Sequence, residues 1–294
     1  MHLKKIEEKI NRLDNLTLKV NNDRNIFIIQ FMKINQQLSF FANNALMNKK
    51  IITAMQKQYS IKNDLLEANN FVSKLFAWRK KSKKILWIYI TEEQKYATDS
   101  YSRYEETILK NNTKQDDFIV IGNHANEFCT KNKLNVLKYF ENNKKNQNLS
   151  NNLVSIIKTL FATGNYSNVR FVINSNKNYN GFFTILPINQ FDIDKLISNN
   201  YDDNKSFLNF NEFKIYPNIN DFINTEINIF LYNTINALIC ESSFYSAKIG
   251  LVSTNKIIKQ IDESKYKLKK QLNRIKSELE IEEITLLTRN NKLN

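Results

Sequence analysis

The sequence predicts an α/β chain in which two long terminal helices pair as an antiparallel coiled coil around a small, Rossmann-like α/β domain. Three observations carry this. The stretch from about Asp221 to Arg289 holds one glycine, Gly250, and no proline. Within it Ile261, Leu268, Leu272, Ile275 and Leu279 recur at steps of seven, four, three and four, the seam of a helix that packs on another helix. Residues 1 to about 75 also lack Gly and Pro, and short apolar runs alternate with helical patterns between these two ends.

The N-terminal helix is justified by its own seam. Leu3, Ile6, Ile10, Leu13, Thr17, Val20, Arg24, Phe27, Phe31, Ile34, Leu38, Phe41 and Ala45 step by three and four without a slip. Thr17, Arg24 and the bulky phenylalanines set it apart from a tuned leucine zipper. Leu65, Leu66, Phe71, Val72, Leu75 and Phe76 continue the pattern less regularly and carry the helix towards residue 78. At about 1.5 Å per residue the C-terminal helix runs roughly 100 Å, more than a globular core covers, so it needs a partner of similar length. Helices from opposite ends of one chain bury their seams by pairing antiparallel.

The centre follows in order. A basic run, Arg79, Lys80, Lys81, Lys83 and Lys84, reads as a solvated linker. Ile85–Thr91 (ILWIYIT) is a buried strand, followed by a helix that carries Tyr101, Tyr104, Ile108 and Leu109 inside it. Asp116–Gly122 (DDFIVIG) is a second buried strand, and Leu134–Phe140 a third, weaker apolar run. An Asn-rich loop at 142–152 leads to a helix from Leu153 to Ala162, which Gly164 closes as a C-cap. Val169–Ser175 and Gly181–Ile188 are two more strands joined by a short turn, and Pro217 breaks the chain before the last helix. Strands alternating with helices imply a mostly parallel sheet. The expected divisions are 1–78 and 221–294 for the paired helices and 79–220 for the α/β domain.

Composition narrows the function. Four Gly cannot build a phosphate-binding loop or a dinucleotide fingerprint. His2 and His124 have no Cys or His at metal-ligand spacing, and His124 reads as a solvated loop residue. Glu92–Glu93 and Asp116–Asp117 read as caps and solubilising charges at strand ends. No catalytic site, cofactor or metal is expected. Cys129 and Cys240 suggest no disulfide framework, which points to a reducing compartment. No run reaches the roughly 18 apolar residues of a membrane span, and the N-terminus lacks the apolar core of a signal peptide. The expectation is a cytoplasmic protein, held at a membrane only through partners. The net charge of +14 fits both an A+T-rich codon bias and an acidic protein partner; a nucleic-acid-binding or structural coiled-coil adaptor is the alternative.

The arrangement of helix, α/β domain and helix resembles the gamma subunit of F-type ATP synthases, the central rotor shaft. That family opens with L-x-x-I-x-x-R-I-x-S-I-x-N; Leu3, Ile6, Lys9, Ile10, Leu13 and Asn15 take the matching places, with Arg12 where Ser is usual. Its last helix carries E-S-x-x-S-E-x-x-A-R-M, A-x-x-N and R-Q-x-x-I-T-x-E-L. Glu241, Ser242, Ala247 and Lys248 stand for the first with about two residues missing, and Asn255 for the second. Lys270, Gln271, Ile275, Glu278 and Leu279 approximate the third. In the middle, Gly122 with Phe128 resembles G-x-x-G-x-x-F. Gly164, VRFVINS and Leu186–Pro187 resemble G-x-x-x-V-x-x-V-x-N…L-P. The resemblance spans nearly the whole chain.

It implies a non-catalytic rotor inside a hexamer of alpha and beta ATPase subunits, with other stalk or motor subunits at the α/β domain and no direct nucleic acid. The hexamer-contacting shaft would include Leu3, Ile6, Ile10, Leu13, Lys270, Gln271, Leu272, Ile275, Glu278 and Leu279. Lys265, Lys267, Lys269, Lys270, Arg274 and Lys276 would face acidic lever loops. The family's T-D-R-G-L-C-G-G-L-N loop is replaced by TEEQKYATDSYS, without a glycine. That loss implies a divergent member, a specialised motor of a wall-less, low-GC bacterium.

Overall fold

The computed structural model describes residues 2–61, 63, 65–67, 84–93, 101–141, 148–163, 166–175, 177–178, 181–197 and 214–290. Two helices dominate it: α1, His2–Tyr59, and the last helix, Ile219–Asn290, of 72 residues. Between them lie β1 (Lys84–Ile90), α2 (Ser102–Asn111), β2 (Asp117–Ile121), α3 (Asn123–Lys131) and β3 (Asn135–Phe140). Then come α4 (Leu149–Ala162), β4 (Tyr166–Val172) and β5 (Phe183–Leu186); the last helix is α5. The chain forms two compact units, one of residues 1–30 with 247–294, the other Phe31–Ser246.

In the second unit the strands form one sheet in the order β3-β2-β1-β4-β5. All neighbours are parallel except the β4–β5 pair. The central strand β1 shows why a continuous apolar run becomes a strand buried on both faces. Leu86, Ile88 and Ile90 point to one core, built with Leu38, Ala42, Ala45, Ile52 and Met55 of α1, with α4, and with Ile223–Leu238 of α5. Trp87 and Tyr89 point to the other, built with α2 and α3. The N-terminal half of α5 and the C-terminal half of α1 are thus one face of a three-layer domain. Asn48 donates to Glu226 Oε2 at 2.9 Å, and Phe31 stacks on Phe244 at 4.4 Å. Partner numbers rise along α5 as they fall along α1, so the helices run antiparallel, as the seams required.

Several local expectations change. The first helix ends at Tyr59, short of residue 78. Ser60 takes a left-handed φ of 49°, and Asn63 Oδ1 accepts from Leu65 N at 2.9 Å, which turns the chain. The carbonyls of Leu65 and Leu66 then accept from Ile188 and Asn189, fixing the turn against the end of β5. Phe71, Val72, Leu75, Phe76, most of the basic run, the loop core at 142–147 and Gly164 lie outside the described residues. Helix α4 begins at Leu149, four residues before Leu153, because its polar first turn is used: Ser150 Oγ donates to Asn236 Oδ1 at 2.8 Å. Helix α3 had no sequence signal beyond Ala125, Phe128 and Cys129 on one face of a short polar segment. Gly122 opens it at φ 96°, where an added Cβ would lie 2.3 Å from the Thr91 carbonyl oxygen.

Asp116 and Asp117 are buried, which corrects their reading as solubilising charges. Asp116 accepts from Ile85 N (3.0 Å), Trp87 Nε1 (3.2 Å), Thr113 N (2.8 Å) and Thr113 Oγ1 (2.9 Å). Asp117 accepts from Tyr166 OH and Asn135 Nδ2, both at 2.5 Å, and from Lys84 Nζ at 3.3 Å. They staple the sheet's amino-terminal edge. No helix among the described residues is long and apolar enough to cross a membrane.

Candidate functional site

The first compact unit holds the ten residues singled out in the sequence. Among its described residues Ile6, Ile10, Val20, Ala247 and Ile261 are buried aliphatic side chains, and Leu3, Leu13, Leu268, Leu272 and Ile275 are half-buried. Every seam position read from the sequence in α1 is buried or half-buried, so the heptad identified the packed face. Two ion pairs mark the antiparallel register. Lys265 Nζ lies 2.5 Å from Asp14 Oδ1, and Lys276 Nζ lies 3.4 Å from Glu7 Oε1. At Gly250 the two helices approach closely: a Cβ there would fall 2.7 Å from the Phe27 ring.

That register explains where the helix pair ends. Lys276 already stands beside Glu7, so residues past about 280 run beyond the start of α1. Leu279, the last position of the seam in this helix, is 50% exposed. Ile281, Ile284, Leu286 and Leu287 follow it, each at least 60% exposed. At 100° per residue these side chains lie around much of the helix, interspersed with Glu278, Glu280, Glu282 and Glu283. Below this tip the surface is basic. Lys267, Lys269 and Lys270 are exposed, while Lys265 and Lys276 bind α1, and Arg274 reaches Glu278 Oε1 in its own helix at 2.9 Å. Lys270, Gln271 and Glu278 face outward; Ile6 and Ile10 are used up in helix pairing.

In the second unit the structure gives His124 a partner that its isolation in sequence concealed. It sits in the first turn of α3, with Nε2 2.8 Å from Glu105 Oε1 and its ring 5.0 Å from that of Tyr101. Tyr89 OH donates to the same Glu105 oxygen at 3.1 Å. Burial first, then the Glu105 charge, pushes the Tyr89 phenol above its ordinary range. Glu105 and His124 line a shallow groove of about 450 Å³ between α2 and α3, with Leu109, Phe128 and Lys131. Among the described residues, no group of three or more His, Cys, Asp or Glu is placed to hold a metal ion.

A further polar cluster lies where β1 and β4 end. Glu241 of α5 is 1% exposed, and its Oε1 accepts from Ser175 Oγ at 2.6 Å. Lys177 Nζ approaches Oε2 at 3.2 Å, as an ion pair without hydrogen-bond alignment. Ser243 Oγ donates to Glu92 Oε1 at 2.5 Å. Glu92 is therefore bound to α5, which corrects its reading as a solubilising charge. A buried glutamate in a long apolar helix is the sequence signal for this cluster, but its partners come from loops some 65 residues away.

No family model matches the chain. An uncharacterized protein of Ureaplasma parvum serovar 3, UU050, is 50% identical over 293 residues, covering 99% of this chain and 95% of that protein. Chains of two structures of the Euglena gracilis mitochondrial ATP synthase share the fold. A chain of the rotor in rotational state 1 aligns with TM-score 0.50 and 12% identity, over 95% of this chain and 98% of that one. A chain of the OSCP/F1/c-ring assembly in rotational state 3 aligns with TM-score 0.52 and 12% identity, over 97% and 92%.

Proposed function

We propose that this chain, which belongs to the same protein family as the Ureaplasma parvum protein UU050, is the rotor of an F-type-like rotary ATPase. It carries no active site of its own. ATP turnover belongs to a surrounding hexamer of alpha and beta subunits, whose successive closures push on the helix pair and turn it. The α/β unit would carry the other stalk or motor subunits. The assembly would work in the cytoplasm, with any membrane contact made through partners.

One observation carries this reading beyond fold likeness: the bare tip of α5. A helix end about 12 Å long from Leu279 to Leu287, with five exposed aliphatic side chains set among glutamates and uncovered by α1, is served by an enclosing sleeve that takes those side chains out of water. A shaft seated in a ring supplies one. The helix pair below the tip is suited to stiffness, since its two strands have no Pro and their only Gly is at the Phe27 crossing. Of the ten shaft residues, the exposed Lys270, Gln271, Glu278 and Leu279 would touch the hexamer. Leu3, Ile6, Ile10, Leu13, Leu272 and Ile275 would hold the two strands together. The exposed lysines below the tip complement acidic lever loops.

Affinity purification of the tagged chain from its own cells tests this. The expected result is co-purification of a nucleotide-hydrolysing hexamer that is lost when Ile281, Ile284, Leu286 and Leu287 are replaced by serine. Recovery of the chain with no nucleotide-binding partner refutes it.

A further inference from the structure

In a parallel sheet whose strand order reverses, the crevice at the carboxyl ends of the two diverging strands is the usual ligand site. Here β1 is that point, with β2 on one side and β4 on the other. The ends of β1 and β4 are met by the chain's own helix, through Glu241 on Ser175 and Ser243 on Glu92. We propose that Glu241 occupies this crevice as a bound carboxylate would, and thereby locks α5 to the sheet so that helix and sheet turn as one body.

The receptor for the carboxylate is built from three elements. Ser175 Oγ donates to Oε1, and the same hydroxyl accepts from Lys177 N at 3.0 Å, which aims it. Lys177 Nζ balances the charge at Oε2 and is itself fixed by the Leu196 carbonyl at 3.0 Å. From the far side of the sheet, Tyr104 of α2 grips the Ser175 backbone twice: its hydroxyl donates to Ser175 O and accepts from Ser175 N at 2.9 Å. Ser243, about half a turn on, adds the bond to Glu92 at the end of β1. A carboxylate so enclosed is costly to place unless its partners are already positioned, and removing one of them leaves a buried charge uncompensated. The arrangement therefore has a single tight setting and resists sliding or twisting of α5 over the sheet. The lock stands on these contacts alone; that it bears torque rests on the rotor role proposed above.

The test uses the full isolated chain with Glu241→Gln, Glu241→Ala and Lys177→Gln. Amide exchange in 238–246 and 173–175 is expected to quicken by roughly a hundredfold in the Gln variants, while β1 and β2 keep their protection. Unchanged exchange at 238–246 overturns the lock. So does equal loss throughout the sheet, which would make Glu241 a general stability residue. Acetate is the probe of the receptor: it should raise the Tm of Glu241→Ala by about 2 °C or more over chloride and leave wild type unmoved. An equal acetate effect on both overturns the carboxylate-receptor reading. These measurements need no ATPase. In the assembled complex the same variants should lower rotation per ATP consumed; rotation and turnover in step as in wild type overturn the torque-bearing part.

Discussion

Replacing Ile6 and Ile10 together by alanine should open the helix pair and leave the α/β unit intact. Each change removes three carbons from a side chain under a tenth exposed, worth about 0.8 kcal/mol per buried carbon, so about 2.4 kcal/mol per site. The range for such truncations runs from about 2 to 5 kcal/mol, and a two-helix layer that can close over the gap belongs at its low end. The residues are one turn apart on the same buried face, so the pair is expected to cost about 4 kcal/mol, somewhat short of additive. Few buried aliphatic residues hold this unit, so that loss should be visible as rapid amide exchange over 2–30 and 247–277 with unchanged protection in β1 and β2. Leu279→Ala is the matched control. At 50% exposure it should cost under about 1 kcal/mol in the isolated chain, below what a buried seam residue would give. Full protection of 2–30 in the double variant, or a Leu279→Ala effect as large as that of Ile6→Ala, would refute the register derived from Lys265–Asp14 and Lys276–Glu7.

Other consequences can be measured on the same chain. Gly250→Ala drives a methyl into the Phe27 ring and should destabilise the helix pair by about 1–3 kcal/mol, with Phe27→Leu recovering part of the loss in a double-mutant cycle. Asp116→Ala strands the Trp87 indole N–H and two backbone donors, so a loss of about 3 kcal/mol or more is expected in urea unfolding. Burial, then the charge of Glu105, pushes the Cys129 thiol up to about 12; burial, then Glu92, pushes Cys240 to about 11. The folded chain thus keeps protons that the unfolded chain sheds near 9, and stability present below that pH is lost as pH rises towards 11 and 12. Urea midpoints should fall above pH 9, and alkylation of both thiols at about pH 8 should be slow until the chain unfolds. A charge-driven nucleic-acid complex would weaken steeply with salt; the assembled complex is expected to hold no DNA or RNA at physiological ionic strength.

The long helices were legible because their signal is periodic over many turns. From Leu3 to Ala45 each three- or four-residue step adds to the same face, and the structure leaves no position of that face exposed. The strands were legible where both sheet faces are covered, as in β1 and β2, since burial demands an unbroken apolar run. Short elements were not. Helix α3 shows only Ala125, Phe128 and Cys129, and the start of α4 is polar because Ser150 answers Asn236 in α5. The end of α1 turned on one left-handed serine and an Asn63 side chain, which leave no trace in apolar spacing. The tip could not be read either: Leu279 continues the seam in sequence, but the seam outlasts its partner. That depends on the register of two distant segments. Glu241 stood out as part of a motif, yet its partners Ser175 and Lys177 are brought to it only by the sheet.

Rotation itself is the direct measurement. With the hexamer fixed to a surface through its beta subunits and a bead attached to the α/β unit of this chain, ATP should drive stepwise turning in one direction. The open helix pair of Ile6→Ala/Ile10→Ala should hydrolyse ATP with fewer turns per molecule consumed. A complex that hydrolyses ATP while the α/β unit never turns would make this chain a static structural subunit.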